Sequence, residues 1–359
     1  MSIHFHRLTV KEVKKETPDC VSVLFDIPAE LKNNFQFSQG QSLTMRVIIN
    51  GEEVRRTYSI CSSPLDNQLK VAIKKVEGGL FSGFANQHLQ KGDLLDVMQP
   101  VGKFYTPLDP AQTKQYMAIA AGSGITPVLS LIKTTLATEP GSSFTLVYGN
   151  KTRGSIIFFE ELEALKNKYM NRFTLIHILS REKTDTAVNF GRITGEKLAE
   201  LNKQVNYTLT DEFFICGPEE MIFGVKDFLE HKGIDKKKIH FELFSSPGQT
   251  KKGITANKQT GTTGPNSRIS IRLDGRSVDF DLPLNSDTTI LDAALKQGAD
   301  LPYACKGGMC CTCKAKLIEG EVMMDVHWGL EEEEIEQGFI LTCQAHPKTE
   351  KVVVDFDVK

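Results

Sequence analysis

The sequence predicts a multidomain protein with a small antiparallel β-barrel, an α/β domain built on a parallel sheet, and a smaller α+β domain. Three observations lead to this prediction. Short β-rich runs fill the first part of the chain, strands and helices alternate in the second, and a hairpin followed by a helix opens the third. With 359 residues, the chain is also longer than one ordinary domain.

The first domain, expected at residues 1–107, is predicted to consist mainly of strands. Apolar residues alternate or cluster in five short runs separated by turn residues, at 8–13, 21–27, 42–49, 56–61 and 69–76. Short strands at this spacing are typical of a small antiparallel barrel.

The second domain, expected at residues 108–244, alternates between strands and helices. Buried-strand patterns occur at 115–120, 144–148, 173–179 and 212–216, and helical patterns follow Pro127 and occupy 157–168 and 219–231. Such alternation predicts a parallel sheet with helices on both faces.

A linker is expected at residues 245–267, where Gly, Thr, Lys, Pro and Ser dominate and almost nothing could be buried. The third domain, 268–359, begins with strands at 270–273 and 277–282 joined by the turn Asp274-Gly275. A helix is predicted at 289–297.

The composition is that of a water-soluble globular protein, with 40% hydrophobic and 25% charged residues. No apolar run is long enough to span a membrane, and residues 1–15 lack the apolar stretch of a signal peptide. We therefore expect a cytoplasmic protein with neither a membrane nor a nucleic acid as partner.

Charge is unevenly distributed between the domains. The third domain has 10 basic and 17 acidic residues, a net charge of −7, and the rest of the chain has 33 and 28, a net charge of +5. This split suggests two modules that attract each other, although chance variation between domains would also produce it.

Four cysteines carry the most specific signal, Cys305-x₄-Cys310-x₂-Cys313 followed by Cys343. This spacing is typical of a plant-type [2Fe–2S] cluster, whose irons prefer soft thiolate ligands. Cys311 falls outside the spacing and is expected to be a spectator. Zinc is the alternative, but structural zinc sites usually need two paired cysteine knuckles and only one is present.

The residues around these cysteines, Leu301-Pro-Tyr-Ala before Cys305 and Leu341-Thr before Cys343, resemble plant-type ferredoxins. The resemblance covers the whole third domain and implies a β-grasp fold.

Two motifs of the first domain resemble the flavin motifs of the ferredoxin–NADP reductase superfamily. The first is Arg56-Thr57-Tyr58-Ser59, and the second contains Gly79, Leu80 and Ser82. The resemblance implies that Arg56 binds phosphate, Tyr58 packs on the flavin, and the Ser59 hydroxyl lies near the ring nitrogen that accepts hydride. Because the second motif would bind a pyrophosphate at a helix start, the pair implies FAD rather than FMN.

The turn Gly122-Ser-Gly124-Ile-Thr126-Pro127 lies between a predicted strand and helix, where glycines allow a dinucleotide pyrophosphate to approach. It departs from the GxGxxG fingerprint. It resembles the GxGxxP form of the reductase superfamily, which implies that Thr126 lies close to the flavin. Cys216-Gly217 resembles the later motif whose cysteine lies near the nicotinamide; the alternative for Cys216 is a small buried residue at a strand end.

Ser180-Arg181 resembles the pair with which NADP reductases bind the 2′-phosphate, and a guanidinium with a hydroxyl suits a dianion. This resemblance favours NADPH as the coenzyme. Two alternatives are left open: NADH as the coenzyme, and a solvated loop that binds no phosphate. Phe244 is the candidate for an aromatic ring that covers the flavin, the alternative being an ordinary core residue. The catalytic residues implied by these resemblances are Ser59, Thr126 and Cys216.

The order of the three domains resembles the reductase components of multicomponent oxygenases over essentially the entire chain. The resemblance implies that a nicotinamide gives a hydride to FAD and that the cluster passes single electrons to an external oxygenase component, expected to be a di-iron enzyme. A Rieske oxygenase is an alternative acceptor. A cluster-only electron carrier or redox sensor is the alternative from another functional class.

Overall fold

The structure, a computed structural model, describes residues 4–244, 265–284 and 286–358. Most of the expected linker, up to residue 264, lies outside the described residues, and its last two residues, Asn266 and Ser267, begin a strand. The chain divides into two compact units. One is His6–Phe244, and the other is Ser245–Lys359 together with Met1–Phe5.

The first strands of the chain form a six-stranded sheet in the order β4-β3-β6-β1-β2-β5. Its strands are β1 (Phe5–Thr17), β2 (Cys20–Asp26), β3 (Ser42–Ile49), β4 (Glu52–Ser59), β5 (Leu69–Lys74) and β6 (Leu94–Met98). The registered pairs in this sheet are antiparallel, and a bridge between Ile60 and Val71 brings the chain after β4 to the opposite edge strand, β5. The predicted antiparallel barrel is therefore present, with the short helix α1 (Leu80–Gln87) after β5.

The barrel core follows from the alternation of apolar residues along the strands. Leu8, Val10, Leu43 and Met45 are fully buried, and so is the ring of Phe81 on α1. Successive side chains of a strand point to opposite faces, so alternate residues of one strand share a single apolar interior.

The second domain contains a five-stranded parallel sheet in the order β11-β10-β7-β8-β9. Its elements are β7 (Gln115–Ala121), α2 (Ile125–Thr138), β8 (Ser143–Asn150), α3 (Phe159–Lys168), β9 (Phe173–Leu179), α4 (Gly195–Leu201), β10 (Glu212–Gly217), α5 (Glu219–His231) and β11 (Ile239–Leu243). Strands β7 and β10 are nearly continuous apolar runs, as is usual where helices cover both faces of a parallel sheet.

The barrel and the parallel sheet share a buried interface. Cys20, Cys61 and Ala72 of the barrel belong to the same apolar cluster as β7 and α2. The Ser130 hydroxyl on α2 donates a hydrogen bond of 2.6 Å to the carbonyl of Ser62. This interface holds the carboxyl end of β4 against the edge of the sheet where the parallel strands end.

The C-terminal unit has a mixed sheet in the order β13-β12-β18-β14-β16 and a separate two-stranded ribbon, β15-β17. Its elements are β12 (Asn266–Leu273), β13 (Arg276–Pro283), α6 (Ile290–Lys296), β14 (Lys314–Glu319), β15 (Val322–Met324), α7 (Glu332–Glu336), β16 (Phe339–Leu341), β17 (Ala345–Pro347) and β18 (Lys351–Asp355). Strands β12 and β18 pair in parallel, and the other registered pairs of this unit are antiparallel.

Helix α6 packs its buried residues Ile290, Leu291 and Ala294 into the same apolar cluster as the strands. The hairpin turn at Asp274 and Gly275 has positive φ angles at both residues, as a type I′ turn requires. The arrangement agrees with the predicted α+β class and β-grasp fold. In the part of the chain that the structure describes, we find no helix both long and apolar enough to cross a membrane.

Candidate functional site

The first flavin motif occupies the end of β4. Ser59 is buried, and its hydroxyl donates a hydrogen bond of 3.1 Å to Oε2 of Glu242. Tyr58 packs its ring 5.4 Å from the ring of Phe81, and burial raises the pKa of its hydroxyl. The motif is thus held between the barrel core and the parallel sheet.

The other two residues of this motif are partly exposed. Thr57 shares a 3.1 Å hydroxyl contact with Thr44 of the neighbouring strand. Arg56 donates one guanidinium N–H to the carbonyl of Arg55. The remaining donors of the Arg56 guanidinium can serve an anion such as a cofactor phosphate.

The second flavin motif forms the start of α1. Gly79 precedes the helix, Leu80 is its first residue, and the Ser82 hydroxyl accepts a hydrogen bond from the backbone N–H of Val76. Residues of this turn line a cleft of about 560 Å³ that also contains Lys75 and His88. A helix start beside a partly polar cleft fits the pyrophosphate-bearing part of FAD.

The glycine-rich turn between β7 and α2 is in close contact with the Tyr148 hydroxyl and with the backbone at the end of β10. Gly122 has φ of +56°, and its carbonyl accepts a hydrogen bond of 2.8 Å from the Tyr148 hydroxyl. A Cβ on Gly124 would overlap the carbonyl of Cys216 and lie 2.9 Å from the N–H of Gly217. The two predicted nucleotide motifs are therefore in direct backbone contact.

The buried Thr126 hydroxyl donates to the carbonyl of Ser123 within this turn, and the buried Pro127 follows it in the first turn of α2. The turn thus presents backbone N–H groups at the start of a long helix, as a bound pyrophosphate requires.

Cys216 and Glu242 are direct neighbours on adjacent parallel strands. Cys216 is fully buried, and both burial and the nearby carboxylate raise the pKa of its thiol. Burial raises the pKa of Glu242 to about 7, and the hydrogen bond from Ser59 opposes that shift. The structure therefore brings together a hydroxyl, a neutral thiol and a carboxyl able to exchange a proton near neutral pH.

The structure adds Glu242 to the site, which no sequence motif indicated. The signal that could have found it is its position two residues before Phe244, in a strand that follows the Cys216 strand. Phe244 itself lies just after β11 and is 39% exposed, so its ring is available to a bound cofactor.

Ser180 and Arg181 follow β9, three strands away from β10 in the sheet. The backbone N–H of Arg181 donates to the carbonyl of Lys151, and its guanidinium is exposed. The Ser180 hydroxyl donates to the carbonyl of Asn150. Both residues lie at the edge that carries the glycine-rich turn, as a single extended dinucleotide requires.

The four predicted cluster ligands form two pairs. The backbone N–H of Cys305 lies 3.5 Å from Sγ of Cys310, and a thiol hydrogen bond from Cys310 lowers the pKa of Cys305. Cys313 and Cys343 are paired by a second thiol hydrogen bond, which raises the pKa of Cys313. Two thiol pairs suit a binuclear cluster with four cysteine ligands.

The loop between these cysteines supplies donors to sulfur. The N–H of Gly307 donates to Sγ of Cys305 at 3.3 Å. Gln344, which no sequence motif indicated, braces the loop by donating to the carbonyl of Lys306 at 2.9 Å. The thiol of Cys311 instead donates to the carbonyl of Gly329.

Comparison with known families assigns a function to each domain. Three family models match: an oxidoreductase FAD-binding domain at residues 7–105, an oxidoreductase NAD-binding domain at 118–227, and a 2Fe-2S iron-sulfur cluster binding domain at 271–348. They confirm FAD, a pyridine nucleotide and a [2Fe–2S] cluster as cofactors. The zinc site and the cluster-only carrier are therefore set aside.

Curated relatives match along nearly their whole length. The chain is 47% identical to one subunit of the 1,2-phenylacetyl-CoA epoxidase of Escherichia coli, over 99% of this chain and 98% of the relative. It is 34% identical to the ferredoxin reductase component of the Rhodococcus rhodochrous 3-ketosteroid-9-alpha-monooxygenase, over 97% and 96%. It is 30% identical to a glycine betaine monooxygenase reductase subunit of Pseudomonas aeruginosa, over 98% and 95%.

Among solved structures, phthalate dioxygenase reductase has a similar fold. The two structures align with a TM-score of 0.60 and 24% identity over 98% of each chain. This likeness concerns the fold, and it agrees with the three-domain architecture described above.

Proposed function

The chain belongs to the ferredoxin–NADP reductase superfamily, and we propose that it is the reductase component of a phenylacetyl-CoA epoxidase (epoxygenase). It would carry electrons from NADPH through FAD and a [2Fe–2S] cluster to the oxygenase component that acts on the thioester. The observation that carries this proposal is the nearly full-length similarity to the matched subunit of the Escherichia coli epoxidase. A cytoplasmic location is part of the proposal.

The bound cofactors supply the redox chemistry: the flavin accepts a hydride and releases electrons singly, and the cluster carries one electron at a time. The protein must bind and orient them. Arg56 and the helix start at Gly79 would bind the phosphates of FAD, and Tyr58, held against Phe81, would pack on the flavin.

Hydride transfer would take place where Ser59, Cys216 and Glu242 meet. The Ser59 hydroxyl is close enough to Glu242 to pass a proton, and Glu242 has a pKa suited to exchange near neutral pH. The buried thiol of Cys216 would give the nicotinamide an apolar, neutral neighbour. Thr126, beside the turn that contacts Cys216, would fix the flavin side of this site.

The coenzyme would lie along the edge of the parallel sheet. Its pyrophosphate would bind at the Gly122–Gly124 turn, and Ser180 and Arg181 would bind a 2′-phosphate at the end of β9. The exposed guanidinium of Arg181 supports NADPH, because bidentate hydrogen bonding to a dianion offsets the cost of removing both charges from water. Phe244 would cover the flavin until the nicotinamide displaces its ring.

The cluster would be held by Cys305, Cys310, Cys313 and Cys343. The N–H donors of their loop, with Gln344 bracing it, would stabilise negative charge on the sulfurs and so help to set the potential.

Reconstitution tests the proposal. The purified holoprotein is combined with the oxygenase component and phenylacetyl-CoA, and consumption of NADPH and formation of the epoxide are measured together. We expect product only when both proteins are present. A Cys313→Ser control should keep NADPH-dependent ferricyanide reduction and lose product formation, because electrons would reach FAD and go no further.

A reductase for another oxygenase is the second candidate. The similarity to the 3-ketosteroid and glycine betaine monooxygenase reductases supports it. Rapid ferricyanide reduction without coupling to the phenylacetyl-CoA oxygenase, together with coupling to a different di-iron or Rieske oxygenase, would favour this candidate over the first.

A further inference from the structure

Two lysines of the C-terminal unit each follow a predicted cluster ligand directly in the sequence. Lys306 comes after Cys305, and Lys314 comes after Cys313. These two cysteines belong to different thiol pairs. Each thiol pair therefore has a cationic side chain on the residue next to it, which the cysteine spacing does not require.

The first lysine is held in the cluster loop in spite of an unfavourable backbone conformation. Lys306 has φ of +50°, in the left-handed region that residues other than glycine rarely adopt. Its Nζ lies 2.7 Å from Oδ1 of Asp292 and 4.7 Å from the centroid of the Tyr303 ring. Its carbonyl accepts a hydrogen bond of 2.9 Å from Gln344. Backbone and side-chain contacts together therefore fix Lys306 beside Cys305.

The second lysine has the same kind of surroundings. Nζ of Lys314, the first residue of β14, lies 2.9 Å from Oε1 of Glu334 and 4.6 Å from the centroid of the Phe339 ring. The other oxygen of this carboxylate accepts a hydrogen bond of 3.0 Å from the backbone N–H of Glu331. Each ammonium thus contacts one carboxylate and one aromatic ring, and the two lysine side chains are only 33% and 26% exposed.

Charges at these positions affect the bound cluster through its redox step. Transfer of one electron from the flavin to the cluster adds one negative charge among the four thiolates. A nearby cation stabilises the reduced form and raises the reduction potential, and a nearby carboxylate lowers it. Because the lysines are partly buried, solvent and salt screen this effect incompletely.

We propose that Lys306 and Lys314 raise the reduction potential of the cluster and that their partners, Asp292 and Glu334, lower it. The two ion pairs together would set the potential at which the chain delivers electrons. The inference deepens the proposed function and rests on it. The four side chains act by their charge and are not cluster ligands.

The test is an anaerobic redox titration of the holoprotein, in which electron paramagnetic resonance follows the reduced cluster. Lys306→Met should lower the reduction potential, because the carboxylate of Asp292 is left without its cation. Asp292→Asn should raise the potential. We expect each change to alter the equilibrium constant for cluster reduction by about threefold, which is about 28 mV at 59 mV per tenfold change.

The second pair gives an independent test. Lys314→Met should lower the potential and Glu334→Gln should raise it. Glutamine can still accept the hydrogen bond from the N–H of Glu331, so the start of α7 is preserved. The side chain of Glu334 is 14% exposed and that of Asp292 is 44% exposed, so the shifts at the second pair should be the larger.

A double variant separates the effect of charge from that of structure. Lys306→Met combined with Asp292→Asn removes both charges, so the potential should return close to that of the unaltered chain. If the pair only held the loop in place, both single changes would shift the potential in the same direction. Lys306→Gly, which suits the left-handed backbone, should lower the potential as much as Lys306→Met does.

Lys351→Met is the matched control. Nζ of Lys351 lies 2.8 Å from Oε2 of Glu319, at the opposite end of β14 from Lys314. This change removes the same net charge and should leave the potential unaltered. Lys306→Arg, which keeps the charge, should retain the potential of the unaltered chain.

Three outcomes would overturn the proposal. They are an unchanged potential in both Lys306→Met and Lys314→Met, a shift in the same direction for both members of an ion pair, and a shift in Lys351→Met as large as that in Lys306→Met. The carboxylate variants decide the matter if a lysine variant does not retain its cluster. If the unaltered chain passes no electrons from NADPH to its cluster, the proposed function has failed instead.

Discussion

The hydrogen-bonded pair of Ser59 and Glu242 should make the stability of the folded chain depend on pH, through the protonation of Glu242. Burial raises the pKa of Glu242 from 4.5 to about 7, so the folded chain binds this proton more tightly than the unfolded chain does. The stability gained from that difference is fully present below pH 4.5 and is lost as the pH rises through about 7. Above neutral pH the ionised carboxylate therefore costs stability.

We predict that Glu242→Gln becomes more stable relative to the unaltered chain as pH rises from 5 to 8.5, by about 1–2 kcal/mol after allowance for partial exposure. The measurement is the thermal midpoint of the flavin-free protein across that range. Ser59→Ala should move the transition to higher pH, because it removes the hydrogen bond that lowers the pKa of Glu242. Parallel pH profiles for all three proteins would contradict the assignment.

At the residue scale, we propose that Arg181 sets the coenzyme preference. We predict that Arg181→Ala lowers kcat/KM for NADPH by about tenfold or more and leaves NADH nearly unaffected, because only NADPH carries the 2′-phosphate. Lys183→Ala, at an exposed neighbouring position, is the control. A natural preference for NADH that Arg181→Ala does not alter would show that this loop is only solvated.

Cluster ligation predicts a sharp contrast among neighbouring cysteines. Serine at Cys305, Cys310, Cys313 or Cys343 should abolish the visible absorption of the cluster and leave FAD and ferricyanide reduction intact. Cys311→Ser should keep both, since that thiol bonds to the carbonyl of Gly329. Loss of the cluster in Cys311→Ser, with Cys310 dispensable, would contradict the ligand set.

At the scale of elements, the contact between the β7–α2 turn and the end of β10 depends on Gly124. We predict that Gly124→Ala destabilises the chain by about 1–3 kcal/mol and impairs hydride transfer, because its Cβ would overlap the Cys216 backbone. Gly224→Ala, in the middle of α5 with no atom within 4 Å of the new Cβ, should stabilise by roughly 0.4–1 kcal/mol. Urea unfolding compares the two, and equal effects would contradict the contact.

Elements with a strong apolar period were predictable, and elements set by tertiary contacts were not. The predicted helix at 219–231 and strand at 173–179 match α5 and β9. Several elements were not predicted: β6, which has only five residues, α4, which begins with a glycine, β11, in which His240 and Glu242 interrupt the apolar pattern, and the strands β14 to β18 of the C-terminal unit. Local sequence carries little signal in such segments.

The residues of the candidate site also differ in whether the sequence alone could indicate them. Ser59 and Cys216 were predicted from the resemblance of their motifs to those of a known family, and the structure places both beside Glu242. Glu242 was not, because its place in the site depends on the pairing of β10 with β11 and on the packing of the barrel against the sheet. Both are long-range contacts that a local pattern does not encode.

At the scale of the whole molecule, His6–Phe244 has the architecture of a single catalytic unit. The barrel provides Ser59 and the sheet provides Glu242, so neither domain alone would complete the site. The C-terminal unit has its own apolar core, which includes Cys313 and Cys343 and residues of α6. Each unit is therefore expected to fold when the other is absent.

The final prediction concerns the covalent connection between the units. The C-terminal domain carries a net charge of −7 and the rest of the chain +5, so the two should attract each other. In the intact chain, a tether makes transfer from flavin to cluster unimolecular, at an effective concentration of order millimolar. We predict that fragments 1–244 and 245–359, mixed at micromolar concentration, reduce the cluster at a rate that rises with concentration and falls with added salt. In the intact chain, the rate of cluster reduction should depend less strongly on protein concentration and on added salt. Stopped-flow absorbance measures both, and dilute fragments as fast as the intact chain would show that the tether contributes nothing to transfer.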